Sequence, residues 1–225
     1  MKRVNDAFIR NLTADDMRYD DFLTGKRWYH RLYNRIFWGE KNSWTEARIV
    51  LDMLPKDFSG RMLDVPAGTG VFTLQMYQQL PNAEIVCLDY SPVMLERFRR
   101  RAGKSVPQVT LTQGDVGELP FEDESFDGVL CMNGYHCFPE KEDALSEILR
   151  VIRPGGWFVG CTYVRGVSRR TDFFVKNLYT RWGIFMEPHP TASELRARLA
   201  RDYTVECWKP SGSMICFRCR KPSRG

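Results

Sequence analysis

From Gly60 onward, short apolar or β-branched runs alternate with stretches whose apolar residues recur at helical spacing. The runs at about 61–65, 84–88, 108–112, 126–132 and 156–163 predict strands. Helices are predicted between them at about 70–80, 92–102 and 141–152, the last carrying a stripe of Leu145, Ile148, Leu149 and Ile152. Pro154-Gly155-Gly156 then turns the chain into the fifth strand. Such alternation is the pattern of a parallel sheet covered on both faces. The last sixty residues depart from it. A helical region around 171–184 leads into the proline-rich turn Glu187-Pro188-His189-Pro190, and Thr191 or Ser193 caps a short helix ending near Ala200. Two final strands, about 203–209 and 213–220, are joined by so short a link, Pro210-Ser211-Gly212, that they must pair antiparallel.

Upstream of Gly60 the pattern is helical. Trp28, Tyr29, Leu32, Tyr33, Ile36 and Phe37 fall on one helix face. Asn42-Ser43, with Glu46 in the capping-box position, opens a further helix that should run to Leu54 and stop at Pro55. The expected organisation is a helical lid over residues 1–56 and an α/β core over 57–225, with a helical cap inserted at about 165–200.

A chain of 225 residues holds one such domain with a full core, and its 43% apolar and 27% charged residues are ordinary for a soluble protein. Residues 1–6 show no apolar stretch behind their charges, and no run reaches the roughly 18–20 apolar residues of a membrane span. Seven cysteines, an odd number scattered mostly through strands, suit reduced thiols, so a cytoplasmic location is expected. The net charge of +5 arises partly from Arg97–Arg101, at a helix end, and from the tail Arg218–Arg224. Without interleaved aromatic residues these clusters do not predict nucleic-acid binding.

The most informative stretch is Leu63-Asp64-Val65-Pro66-Ala67-Gly68-Thr69-Gly70: a buried strand, a glycine turn and the start of a helix. Gly68 and Gly70 let the backbone approach a ligand, while the Asp64 carboxylate would repel a pyrophosphate. Asp89 closes the second strand, 19 residues after Gly70, where a carboxylate can accept two ribose hydroxyls. Gln113-Gly114-Asp115-Val116, Ser125-Phe126-Asp127-Gly128-Val129-Leu130 and Leu149–Gly156 follow in order. Together these five segments, spanning roughly residues 60–165, resemble the class I S-adenosylmethionine (AdoMet)-dependent methyltransferases, in the ubiquinone-biosynthesis-like group with methyltransferase domain 11. Pro66 departs from the family's acid-x-Gly-x-Gly-x-Gly at its first glycine. The resemblance implies a Rossmann-like three-layer sandwich whose seven-stranded sheet is mostly parallel, the last strand antiparallel. It implies AdoMet as cofactor, S-adenosylhomocysteine as product, and a cofactor site of Asp64, Pro66, Ala67, Gly68, Gly70, Asp89, Tyr90, Asp115, Val116 and Asn133.

Methyl transfer from a sulfonium is an in-line displacement, so positioning dominates and a base helps only if the acceptor must lose a proton. His136, delivered by the fourth strand in Asn133-Gly134-Tyr135-His136-Cys137-Phe138-Pro139, is the candidate base, and a packed structural histidine is the competing reading. Tyr135 is the candidate pocket partner. This segment lacks the Asn/Asp-Pro-Pro-Tyr/Phe of amine methylases, and no carboxylate cluster for a metal accompanies it. Tyr19, Trp28, Tyr29, Tyr33 and Trp38 are expected to line the lid, and Phe173, Phe174, Tyr179, Trp182, Phe185 and Met186 a second cover, enclosing a small, partly apolar acceptor. Cys216-x-x-Cys219 sits in a strand, where residues three apart face opposite ways, and predicts no zinc site. The expected activity is therefore methylation of a small molecule by a monomer or homodimer. Methylation of tRNA or protein, and AdoMet binding without catalysis, are the alternatives.

Overall fold

The computed structural model describes residues 44–224 together with Asp20 and Trp28. The expected lid residues Tyr19, Tyr29, Tyr33 and Trp38 lie outside the described residues, and Trp28 is 71% exposed. In chain order the elements are α1 (Trp44–Leu51), β1 (Arg61–Asp64), α2 (Leu74–Tyr77), β2 (Glu84–Asp89), α3 (Pro92–Ala102), β3 (Val109–Gln113), β4 (Phe126–Met132), α4 (Lys141–Val151), β5 (Ile152–Tyr163), α5 (Arg169–Phe174), α6 (Ala192–Leu199), β6 (Thr204–Ser211) and β7 (Met214–Arg220). A 3₁₀ turn at Tyr135–Cys137 follows β4, and one π turn at Val175–Tyr179 prolongs α5.

The strands form one sheet in the order β3-β2-β1-β4-β5-β7-β6. Pairing is parallel from β3 through β5, and β7 runs antiparallel to both β5 and β6. Strand order reverses between β1 and β4, the place where open α/β sheets leave a crevice at their C-terminal ends. Consecutive strand residues enter opposite cores. Met62, Ile85 and Val159 join one buried cluster, and Leu63, Val86 and Phe158 the other. Coverage of both faces explains why these strands read as nearly unbroken apolar runs.

α4 follows the same logic. Leu145, Ile148 and Val151 are at most 2% exposed. Each such side chain contributes about 1.5–3 kcal/mol by leaving water. The capping box at the start of α6 is complete: Thr191 Oγ1 accepts from Glu194 N at 3.2 Å, and Glu194 returns to the Thr191 N–H at 2.7 Å. For Glu46 the expected capping partner Ser43 lies outside the described residues. Glu46 is buried in α1, and Ser211 Oγ donates to its carboxylate at 2.8 Å.

Several boundaries differ from expectation: the helix expected to reach Leu54 ends at Leu51, and the helical region expected to reach 184 ends at Tyr179. β5 begins at Ile152, because Pro154-Gly155 lies in an irregularity of the β4–β5 register between Phe126 and Gly128. The helix expected over 70–80 shrinks to Leu74–Tyr77, flanked by turns.

Candidate functional site

A cavity of about 210 Å³ opens at the C-terminal ends of β1, β2, β3 and β4. All ten expected cofactor-site residues line it: Asp64, Pro66, Ala67, Gly68, Gly70, Asp89, Tyr90, Asp115, Val116 and Asn133. The glycine turn is shaped by φ values of +56° at Gly68 and +68° at Gly70. A Cβ at Gly70 would stand 2.5 Å from the Phe98 ring, so glycine is required there for space as well as conformation.

Two buried carboxylates face each other across this turn. Tyr77 Oη donates to Asp64 Oδ2 at 2.6 Å, while Asp64 Oδ1 is buried without a hydrogen-bond partner among the described residues. Burial pushes the Asp64 carboxyl up to about 7. The Tyr77 and Thr73 hydroxyls pull the other way, and the Asp89 charge adds to the rise. The Thr73 hydroxyl stands near Asp64 without forming a hydrogen bond. Asp89 accepts from Gly68 N at 2.8 Å and from Ser91 N at 2.8 Å, which orients both its oxygens. Burial raises its carboxyl to about 6 against the pull of those two N–H groups. Asp115 Oδ1 accepts from Gly117 N at 2.8 Å. An orphaned, buried carboxylate oxygen on the cavity wall fits a ligand carrying a cationic group.

The turn is also held from outside. Thr69 Oγ1 donates to Asp20 Oδ1 at 2.7 Å, Arg101 Nε donates to Thr69 O at 3.0 Å, and Arg101 pairs with Asp20. Sequence reasoning took Arg101 only as a complement to the helix dipole and passed over Asp20.

The expected catalytic pair falls elsewhere. His136 is not among the residues lining this cavity. It is 4% exposed and packs on Phe185 with ring centroids 4.0 Å apart. Its Nδ1 accepts from the Tyr163 N–H at 3.2 Å and lies 3.1 Å from Thr162 Oγ1. Burial, with the nearby His189 and Lys141, holds the imidazole well below its ordinary range and therefore neutral. This geometry corresponds to the structural reading of His136, not to a base at the cavity. Tyr135 lines a separate polar cavity of about 890 Å³, and Pro139 lines both.

Residues that sequence reasoning missed complete the first cavity. Cys137, Phe138 and Pro139 come from the loop after β4, and Gly183 and Ile184 from the segment after the π turn. Lys141 joins these two loops, donating to Phe138 O at 3.0 Å and also to Met186 O. Met186 N donates in turn to His136 O at 2.9 Å. The expected aromatic cover is divided. Tyr179 and Phe185 are buried in the core, whereas Phe173 and Trp182 are 64% and 57% exposed. The cysteines are free thiols, and among the described residues no cluster of metal-ligating side chains occurs.

Residues 62–156 match a family described as a methyltransferase domain. Over that segment the chain is similar to methyltransferase domains, and its seven-stranded sheet has the class I methyltransferase fold. The chain is 39% identical over 99 residues to a demethylmenaquinone methyltransferase of Deinococcus radiodurans, covering 44% of this chain and 41% of that one. It is 36% identical over 131 residues to a demethylmenaquinone methyltransferase of Thermus thermophilus, covering 57% and 58%. The chain thus spans about half the length of these relatives. Among solved structures, the [4+2]-cyclase SpnF superposes with a TM-score of 0.67 at 18% identity, over 82% of this chain and 83% of that one. At that identity the likeness shows the fold alone, and a cyclase on this fold means the reaction must be argued from the site.

Proposed function

We propose that the protein transfers a methyl group from AdoMet to a small organic acceptor. The observation that carries this reading is the buried, unpartnered Oδ1 of Asp64 on the cavity wall, with the doubly oriented Asp89 carboxylate across the glycine turn. The first suits the ammonium of the methionine moiety and the second the ribose hydroxyls. In this reading Tyr90, Asp115 and Val116 would meet the adenine, and Asn133, which also lines the cavity, would lie near the bound cofactor. Bound AdoMet supplies an activated methyl on a sulfonium. The chain's own part is to hold donor and acceptor in contact and to keep water out, an effect worth up to about 7–11 kcal/mol when geometry is ideal.

Cys137, Phe138, Pro139 and Ile184, from the loops after β4 and after the π turn, also line the cavity and suit an apolar acceptor. No ready base stands among them, since burial pushes the Cys137 thiol up to about 12. The acceptor should therefore bring its own nucleophilicity, as a phenolate or an enolate does. The demethylmenaquinone relatives support a hydroxylated aromatic ring as the first acceptor class to screen.

Calorimetric titration with AdoMet, S-adenosylhomocysteine and NAD tests the proposal. Micromolar binding of the first two with NAD silent is expected, followed by methyl transfer to a quinol or phenol panel. Binding of NAD alone, or of none, overturns it.

A further inference from the structure

Asn133 holds a left-handed backbone on the wall of the first cavity. It directly follows β4, and its φ is +56°, a region that residues other than glycine, asparagine and aspartate seldom enter. Its surroundings fix it there. Asn133 N donates to Cys161 O at 3.1 Å, and Cys137 Sγ donates to Asn133 O at 3.6 Å. The next residue, Gly134, packs so closely on the glycine turn that a Cβ would stand 2.1 Å from Pro66 Cδ. Asn133 therefore lies at the seam between that turn and the loop of Cys137, Phe138 and Pro139. The carboxamide is oriented as well. Cys161 Sγ donates to Asn133 Oδ1 at 3.4 Å, and its thiol, 1% exposed, is kept protonated by the adjacent Cys216 and by burial. A thiol that gives its proton identifies the oxygen end of the amide, which leaves Nδ2 with two N–H donors. Among the described residues Nδ2 has no hydrogen-bond partner.

An acceptor that supplies its own nucleophilicity enters as an anion, and an ionised oxygen is costly to bury without a donor. Among the described residues that line the first cavity none is lysine, arginine or histidine, and Asp64, Asp89 and Asp115 bring carboxyl groups. The Thr69 hydroxyl is given to Asp20 and the Cys137 thiol to Asn133 O. The Asn133 amide remains, next to Cys137. On the methyltransferase reading above, we propose that Asn133 Nδ2 donates to the ionised oxygen of the acceptor. Asn133 thereby sets a specificity for phenolic or enolic acceptors over their oxygen-free counterparts. No proton and no electron pair moves in this contact. The acceptor ionises in water before it enters, and the hydrogen bond holds its charge and its direction.

The probe for the test is 4-nitrophenol, yellow when ionised, bound to the whole protein saturated with S-adenosylhomocysteine. Absorbance titration gives the pH at which the bound probe ionises, a readout that a merely structural role for residue 133 leaves unmoved. Asn133→Gly keeps the left-handed backbone and removes the amide, while Asn133→Asp keeps the shape and replaces the donor by an acceptor. In each, affinity for the ionised probe relative to the neutral one should fall at least about tenfold, the value of a hydrogen bond to a charge. The bound probe should then ionise about one pH unit or more higher than in wild type. Affinity for S-adenosylhomocysteine should stay within about threefold. Cys161→Ala frees the amide to turn and should give part of the same shift, whereas Cys161→Ser returns a donor to Oδ1 and should restore it. This second pair carries the test should residue 133 not tolerate change. Ionisation of the bound probe that is the same in wild type and all four variants overturns the proposal. So does a wild type that does not bind the probe. An Asn133→Gly protein that loses S-adenosylhomocysteine as strongly as the probe overturns it too, since the amide then serves the cofactor. If wild type binds S-adenosylhomocysteine and only the probe results fail, the methyltransferase reading stands; if it binds neither that compound nor AdoMet, both fall.

Discussion

Replacing Asp64 by Asn should stabilise the ligand-free protein and weaken cofactor binding at the same time. Burial holds the Asp64 carboxyl near 7 against an ordinary 3.8, which corresponds to ~4 kcal/mol of penalty for keeping it charged well above pH 7. The sign follows from proton counting. Between about pH 4 and 7 the folded state binds the proton that the unfolded state has released, so this group's contribution to stability is intact below that window and is lost as pH rises through it. Asparagine keeps the shape and can still accept from Tyr77 Oη, at a cost of about 1 kcal/mol for the weaker, uncharged hydrogen bond. The net gain at pH 8 is then about 3 kcal/mol, or roughly 6–12 °C in melting temperature for a chain of this size. At pH 5 the difference should nearly vanish. A cation bound at Oδ1 reverses the balance: wild type should bind AdoMet about 10–150-fold more tightly than the variant, the value of a charged hydrogen bond. Binding at pH 7 should release about half a proton as Asp64 ionises, measurable by calorimetry in buffers of different ionisation enthalpy. Thermal scans at pH 5 and pH 8 with and without AdoMet complete the assay. An Asp64→Asn protein that is no more stable at pH 8, and binds AdoMet within about twofold of wild type, would refute the reasoning.

Three further outcomes are expected. Asp89→Ala strands the Gly68 and Ser91 N–H groups and removes the proposed ribose acceptor, so AdoMet affinity should drop at least about tenfold by calorimetry. Gly134→Ala puts a Cβ 2.1 Å from Pro66 Cδ and 2.8 Å from Cys131 Sγ; overpacking of about 1–3 kcal/mol should appear as a lower melting temperature even without ligand. His136→Ala takes the imidazole acceptor from the Tyr163 N–H and leaves a hole beside Phe185. It should lower stability by about 2–4 kcal/mol in denaturant titration. The pH profile of its residual activity should keep the wild-type shape, and loss of a limb near neutrality would return His136 to the chemistry.

The sheet was readable because each strand is buried on both faces, and because a short link forces the last two strands antiparallel. The glycine-turn side of the cavity was readable for a related reason. Its residues sit directly after strand ends, where parallel register leaves little freedom. His136 shows where such reading stops. Tyr135, His136 and Cys137 occupy one 3₁₀ turn, so successive side chains point about a third of a circle apart. Tyr135 reaches the second cavity, His136 the core and Cys137 the first cavity. Sequence placed the segment at the end of β4 but could not assign which of the three faces the first cavity. The Asp20–Arg101 pair was hidden for a different reason, since it joins positions 81 residues apart with no periodic signal. Gly183 and Ile184 were hidden because the cap around them was judged by its aromatic residues, most of which face the core or the solvent.

The ammonium of Lys141, fixed between Phe138 O and Met186 O, joins two loops that line the first cavity, which thus has two kinds of wall. One is pinned by the pitch of the sheet, and a substitution there disturbs paired strands. The other is two loops buttoned together by Lys141 and by the Met186 N–H on His136 O, with carbonyl groups as the buttonholes. Because a carbonyl is present whatever the side chain, the residues at 137–139 and 183–184 can be exchanged while the fastening persists. Evolution, or a laboratory selection, would thus have a wall free to vary in front of one that is not. Chains sharing this sheet and glycine turn should accordingly differ most in what they accept and least in what they use to modify it.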